Sequence, residues 1–360
     1  MRFFRFLIFL ALTVGAFFLF YNFFQKNSLL KIKKPQLSSL KTAEQSSKPV
    51  EIREISLFVP YWSLDDGPID QKYSRLIYFG LTGGVNGLTL GSADENNLSK
   101  FKVLASSRKT LLTVRMTNSS TNLQVLNNKV SQQKIVDDAM STAKKYGFSG
   151  IVLDLEISGL FEDQVPGQIN SFVANFNEKA HSDNLSFAMT IYGDVFYRKR
   201  PYDIPFIGKH TDELMIMAYD FHKSSGEPGP NFPYIGLDKY GYDFQTMIKD
   251  YRQRVPSEKL TVLYGMYGYD WTVDEKRRPI KQGQAITNMQ ITEKYLNACG
   301  KTNCVPFRDK DAKEQEIDYV DKLSQYHVIW FEDAESAQMK TEYLKEKGIN
   351  SIGYWAYGYF

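Results

Sequence analysis

Asp154-Leu155-Glu156 closes an apolar run, Gly150-Ile151-Val152-Leu153, that reads as a β-strand. Strand side chains two apart share a face, so both carboxyls point the same way, about 7 Å apart along the backbone. Two carboxyls in a closed site interact. One keeps its proton near neutral pH because the other is charged or because burial disfavours its ionised form. A retained proton is what protonating the leaving oxygen of a glycosidic bond requires. A pair of strand-end acids bridged to Arg or Lys would read the same way, so the pair alone does not choose between catalysis and structure.

The elements that would position this pair are legible as repeated apolar runs. They cover 55–59, 75–81, 110–116, 150–155, 185–191, 213–218, 260–265 and 351–355. The runs are continuous rather than alternating, as suits parallel strands buried on both faces. Helical spacing falls between them. Ser131 is expected to cap a helix with Ile135, Ala139, Met140 and Ala143 on one side. Further helices are expected at Ile169–Lys179, at Tyr242–Arg254 before Pro256, and at Ala334–Lys347 capped by Asp333. Alternation of this kind predicts an α/β fold, a (β/α)8 TIM barrel, with a doubly wound open sheet as the alternative. In such a barrel chemistry sits at the C-terminal strand ends, where Asp154 and Glu156 lie. The interval between the seventh and eighth strands is by far the longest and predicts an insertion at about 270–326. Cys299 and Cys304 fall within it, close a tight loop, and are expected to form a disulfide in an oxidising compartment. No closing helix is expected after the eighth strand, because the sequence stops at Phe360.

Other motifs follow the same strand order. Met217-Ala218-Tyr219-Asp220 ends the sixth run, and Gly265-Met266-Tyr267-Gly268-Tyr269-Asp270-Trp271 follows the seventh. Trp330-Phe331-Glu332-Asp333 precedes the last helix, and Gly353-Tyr354-Trp355-Ala356 ends the eighth run. With Ser149–Glu156, this succession resembles the family 18 glycoside hydrolases, the chitinase-like group, whose fourth-strand signature is DGxDxDxE and sixth-strand signature MxYD. The resemblance implies that Glu156 is the general acid and that the substrate's own N-acetyl carbonyl is the nucleophile. It implies that Asp154 orients the acetamide, that Tyr219 hydrogen-bonds its carbonyl, and that Trp355 floors the sugar site. Asp220 and Met217 would line the same pocket. Sugar clefts use aromatic rings, and Tyr61, Tyr192 and Tyr269 are further expected substrate contacts. The implied substrate is a β-linked N-acetylglucosamine glycan, of chitin or peptidoglycan type, cleaved with retention and without cofactor or metal. Two family aspartates are replaced, by Ser149 and Val152. Loss of the carboxylate at Val152 leaves a catalytically weak or silent carbohydrate-binding protein as the alternative.

Composition narrows the remaining classes. A formal charge of +3 gives no concentrated basic face for nucleic acid. Neither a phosphate-binding GxxxxGK[ST] loop nor a strand-linked GxGxxG occurs, so nucleotide binding has no support. His181, His210, His222 and His327 lack ligand spacing, which argues against a histidine metal centre. Beyond the short tail 1–5, the uncharged run 6–24 reaches roughly the 30 Å of a bilayer core as a helix. It is expected to be an uncleaved membrane anchor, since bulky Phe17 to Tyr21 occupy the place of a cleavage site. Residues 25–51, rich in Lys, Ser, Gln and Pro, read as a flexible linker to a barrel at 52–360 on the extracytoplasmic side.

Overall fold

A computed structural model of the chain describes residues 50–299 and 304–360. The expected anchor at 6–24 lies outside the described residues, as do the tail 1–5 and nearly all of the linker. Among the described residues no helix is long and apolar enough to cross a membrane.

Each apolar run forms a strand: β1 (Glu54–Pro60), β2 (Arg75–Gly84), β3 (Lys109–Met116), β4 (Gly150–Leu155), β5 (Ser186–Tyr192), β6 (Glu213–Ala218), β7 (Leu260–Gly265) and β8 (Ser351–Trp355). Every neighbouring pair is parallel, and β8 pairs with β1, so the eight strands close into a barrel. β4 is buried at every position, as a strand covered by helices outside and side chains within must be. At the N-terminal end the lumen is plugged by charge. Arg75 donates to Ser56 Oγ at 2.8 Å and to both Glu213 oxygens at 2.6 and 2.7 Å, and also pairs with Glu54. The opposite end is left for the site.

The helices agree in place more than in boundary. Asn128, not Ser131, caps the helix Lys129–Tyr146, accepting from the amides of Val130 and Ser131. Ser131 instead donates its hydroxyl to the Val85 carbonyl. The helix ends at Gly147, whose φ of 65° is the left-handed conformation that glycine adopts without strain. The expected Ile169–Lys179 helix extends over Val165–Ser182, and the expected Tyr242–Arg254 helix covers Phe244–Arg252 behind the cap of Asp243. Asp333 caps Ala334–Glu346 by accepting from the Ser336 amide.

The insertion is larger than 270–326. Its five antiparallel strands run in the spatial order Gln284–Thr287, Tyr267–Val273, Tyr326–Phe331, Gln315–Val320 and Val305–Arg308. The sheet thus begins three residues before the expected boundary and ends five after it. Trp271, Val273, Val328 and Trp330 pack on one face, and Ile286, Ile317, Ile329 and Phe331 on the other. Cys299 and Cys304 are joined by a disulfide with Cα atoms 5.0 Å apart.

Candidate active site

Asp154 is the inward residue near the end of β4, and Glu156 follows just beyond the last strand residue. The chain at that exit is held from two sides. Asn122 Nδ2 donates to the Met116 and Glu156 carbonyls at 2.6 and 2.7 Å. The Tyr202 hydroxyl donates to the Leu155 carbonyl at 2.8 Å and accepts from the Ile157 amide at 2.7 Å. With its carbonyl and both neighbouring peptides fixed, Glu156 has little freedom beyond its own rotamers.

A cavity of about 190 Å³ opens above the pair. Asp154, Glu156, Thr190, Tyr192, Met217, Tyr219 and Asp220 line it, with Phe58, Phe79, Thr117, Tyr267 and Trp355 completing the wall. Of the nine side chains expected at the site, it brings together Asp154, Glu156, Tyr219, Trp355, Asp220, Met217 and Tyr192. Tyr61 does not line the cavity. It is exposed at the barrel rim, its ring 5.0 Å from that of Trp62. Tyr269 also stands outside the lining, and its hydroxyl donates to Asp220 Oδ1 at 2.7 Å. Tyr267 donates to the same oxygen. Tyr192 lines the wall, but its hydroxyl is committed to Glu156 Oε2 at 2.8 Å rather than free for a sugar. Trp355 meets Phe79 edge-on at 4.6 Å and Phe58 at 5.8 Å, which fixes an apolar wall. The Tyr219 hydroxyl makes no hydrogen bond to a described residue and faces the open space beside Asp154.

Electrostatics favour retention of a proton. Burial first, and the Glu156 charge second, push the Asp154 carboxyl up to about 7, against the opposing Thr190 hydrogen bond and the Arg115 charge. Burial also raises Glu156, opposed chiefly by the Tyr192 hydroxyl and the Lys223 ammonium. The two titrate as a pair, and the pair holds a proton available to a leaving group near neutral pH. Burial and the nearby Asp154 hold Tyr219 protonated well above the usual phenol range, as a donor must be.

A raised carboxyl has a consequence for stability. The unfolded Asp ionises near pH 4, whereas the native group keeps its proton to about 7, so native protein binds more protons between these values. Stability contributed by this group is therefore lost as pH rises through that window. Asp154→Asn keeps an oxygen to accept from Thr190 and carries no charge. It is expected to raise the melting temperature at pH 8, with the gain vanishing near pH 4. A shift of the same size at both pH values would contradict the assignment.

Asp220 is oriented from behind. Its φ of 58° places it in the left-handed region, and its amide donates to Asn231 Oδ1 at 2.7 Å. Asn231 Nδ2 donates to the Gly265 and Tyr267 carbonyls at 3.0 and 3.2 Å. The Asn231 and Phe232 amides in turn donate to Glu314 at 2.5 and 2.8 Å. Glu314 belongs to the insertion and meets the Lys340 ammonium at 2.8 Å, with Glu332 as the second partner. All three of these side chains are wholly buried. Neither Asn231 nor Glu314 carries a sequence signal, whereas Tyr267 lies in the segment after β7 already singled out.

Comparison with known proteins agrees with this geometry. A family model described as glycosyl hydrolases family 18 matches residues 19–359. The chain is 27% identical over 242 residues to the cortical fragment-lytic enzyme of Bacillus anthracis, covering 65% of this chain and 52% of that protein. It is 25% identical over 236 residues to the putative sporulation-specific glycosylase YdhD of Bacillus subtilis, covering 64% and 52%. The matched region spans about half the length of both of these relatives. Among solved structures, the Bacillus cereus spore cortex-lytic enzyme SleL superposes with a TM-score of 0.69 at 20% identity, covering 87% of this chain and 72% of that one. The C-terminal domain of a putative chitinase from Desulfitobacterium hafniense gives 0.72 at 18% identity, covering 86% and 95%. At those identities the superpositions speak for the fold, and the family match over nearly the whole barrel carries the assignment: this chain belongs to the family 18 glycosyl hydrolases.

Proposed function

We propose that the barrel mouth hydrolyses β-linked N-acetylglucosamine-containing glycans with retention, using the substrate acetamide as nucleophile. The observation that carries this reading is one cavity holding the proton-retaining pair Asp154 and Glu156, the uncommitted Tyr219 hydroxyl and the Trp355 wall. Glu156 gives its proton to the leaving glycosidic oxygen. Tyr219 donates to the acetamide carbonyl and holds it under the anomeric carbon, a positioning effect. Asp154 accepts from the acetamide N–H and stabilises the positive charge that builds there. Trp355 covers the apolar face of the sugar. Relatives are named both for cortical fragment lysis, as in Bacillus anthracis, and as chitotriosidase, in mouse, which supports an aminosugar glycan as the substrate class. The uncharged apolar run at 6–24 and the disulfide support a membrane-tethered barrel on the extracytoplasmic side.

The test is turnover of chito-oligosaccharides followed by proton NMR. New reducing ends should appear first as the β anomer, and a thiazoline analogue of N-acetylglucosamine should inhibit competitively. Oligomers stripped of their acetyl groups should not be cleaved. Appearance of the α anomer first would end the substrate-assisted reading. One observation favours a silent sugar binder, namely apolar Val152, wholly buried below Asp154 where the family carries a carboxylate. Tight oligomer binding without turnover would establish it.

A further inference from the structure

Most buried and half-buried arginines in this fold are committed to carboxylates, apart from Arg108, which donates to the Ile69 and Asp70 carbonyls at 2.8 and 3.4 Å. Arg75 meets Glu54 and Glu213, Arg198 and Arg200 share Asp194, and Arg308 meets Asp333 and Glu335. Arg115 is an exception beside the site, behind the cavity wall at Phe79 and Thr117 rather than in the lining itself. It is the register partner of Asp154 in β4 and of Thr82 in β2. Register partners in parallel strands face the same side, so its side chain enters the barrel in the same layer as Asp154. One nitrogen, Nη2, donates to Thr82 Oγ1 at 2.8 Å. The guanidinium carbon lies 5.4 Å from the ring centroid of Phe79, a cavity wall residue. Nε is buried with no hydrogen-bond partner, and no described carboxylate pairs with the group. A second unpaired cation stands beyond Glu156. Lys223, in the loop after β6, holds its ammonium 5.5 Å from the Tyr192 ring centroid and pairs with no described carboxylate.

The catalytic carboxyls feel these charges from a distance but do not contact them. Asp154 accepts from Thr190 and Glu156 from Tyr192, and neither is in ion-pair contact with Arg115 or Lys223. A half-buried guanidinium with a buried donor unused costs free energy that an arriving anion offsets. Its planar fork suits a carboxylate in particular.

We propose that Arg115, assisted by Lys223, reads a carboxylate on the substrate: the glycan cleaved here carries carboxylated ether substituents on its aminosugars, and a wholly neutral N-acetylglucosamine polymer is the poorer substrate. This inference rests on the glycosidase reading and narrows it. The probes are a tetrasaccharide alternating N-acetylglucosamine with N-acetylmuramic acid, and its methyl ester, which differs only in charge. With the full-length chain, kcat/KM for the acid should exceed that for the ester by about tenfold or more at low salt, and the ratio should shrink as salt screens it. R115Q should bring the ratio close to one, R115K should keep part of it, and K223Q should lower it by a smaller factor. Equal rates for acid and ester in the wild type would overturn the proposal, as would an R115Q variant slower on both with the ratio intact. Turnover of neither probe would count against the glycosidase reading instead. Calorimetric binding of the same pair would then decide the subsite, with tighter binding of the acid supporting it and equal binding overturning it.

Discussion

Glu156→Gln should lower kcat on chito-oligosaccharides by about 10²–10⁴-fold, the range associated with a positioned general acid. The substitution keeps the shape of the side chain and an oxygen for the Tyr192 hydroxyl, now at 2.8 Å. What it removes is the transferable proton. The loss should therefore depend on the leaving group. An aryl glycoside with an acidic phenol departs without protonation and should lose far less than a sugar leaving group. KM should move little, because binding through Trp355 and Tyr219 is untouched. The melting temperature should not fall, since the variant no longer places an ionisable carboxyl where burial disfavours its charge. Comparable losses for aryl and sugar leaving groups would show that Glu156 is not the acid. Wild-type turnover in the variant would remove the proposed mechanism altogether.

The barrel was legible because its strands are buried on both faces, which leaves uninterrupted apolar runs such as Gly150–Leu155. Asp154, Glu156, Tyr219 and Trp355 were legible because each ends such a run, and strand ends converge in a barrel. Boundaries were less so. Asn128 and Ser131 are both competent caps three residues apart, and only the path of the preceding chain decides between them. Tyr61 sits next to a strand end, yet the turn at 61–63 carries it outward to the rim. Tyr192 lines the cavity and Tyr269 stands outside it, and no sequence pattern shows that their hydroxyls are directed to Glu156 and Asp220. Such roles depend on which strands neighbour each other and in what register, which no local pattern encodes. Arg115 faces Asp154 for the same reason, through the register between the successive strands β3 and β4. Glu314 was illegible in a stronger sense, being one of several acids in a polar stretch, distinguished only by what folds around it.

That buried acid carries the second large expectation. Lys340→Met should destabilise the barrel by about 3–5 kcal/mol, the usual cost of removing one partner from a buried ion pair. Lys340, Glu314 and Glu332 are fully enclosed, so loss of the ammonium leaves two carboxylates facing each other without water. Methionine fills most of the vacated volume, so packing loss is the smaller part of the effect. The sign with pH separates the two contributions. Burial already pushes the Glu332 carboxyl up to about 8 against the opposing Lys340 charge, so removing the ammonium makes the enclosed site bind its protons more tightly still. The deficit against wild type should therefore grow as pH rises toward and through 8, whereas a deficit from packing alone would not vary. Function should follow stability only in part. Glu314 anchors the Asn231 and Phe232 amides, and Asn231 holds Asp220 and the exit of β7. If the buried triad positions the mouth as well as joining the insertion to the last helix, Lys340→Met should lower kcat below the melting range, while Glu156 and its hydrogen bond to Tyr192 remain in place. Full kcat in a measurably destabilised variant would confine the triad to holding the two parts of the fold together.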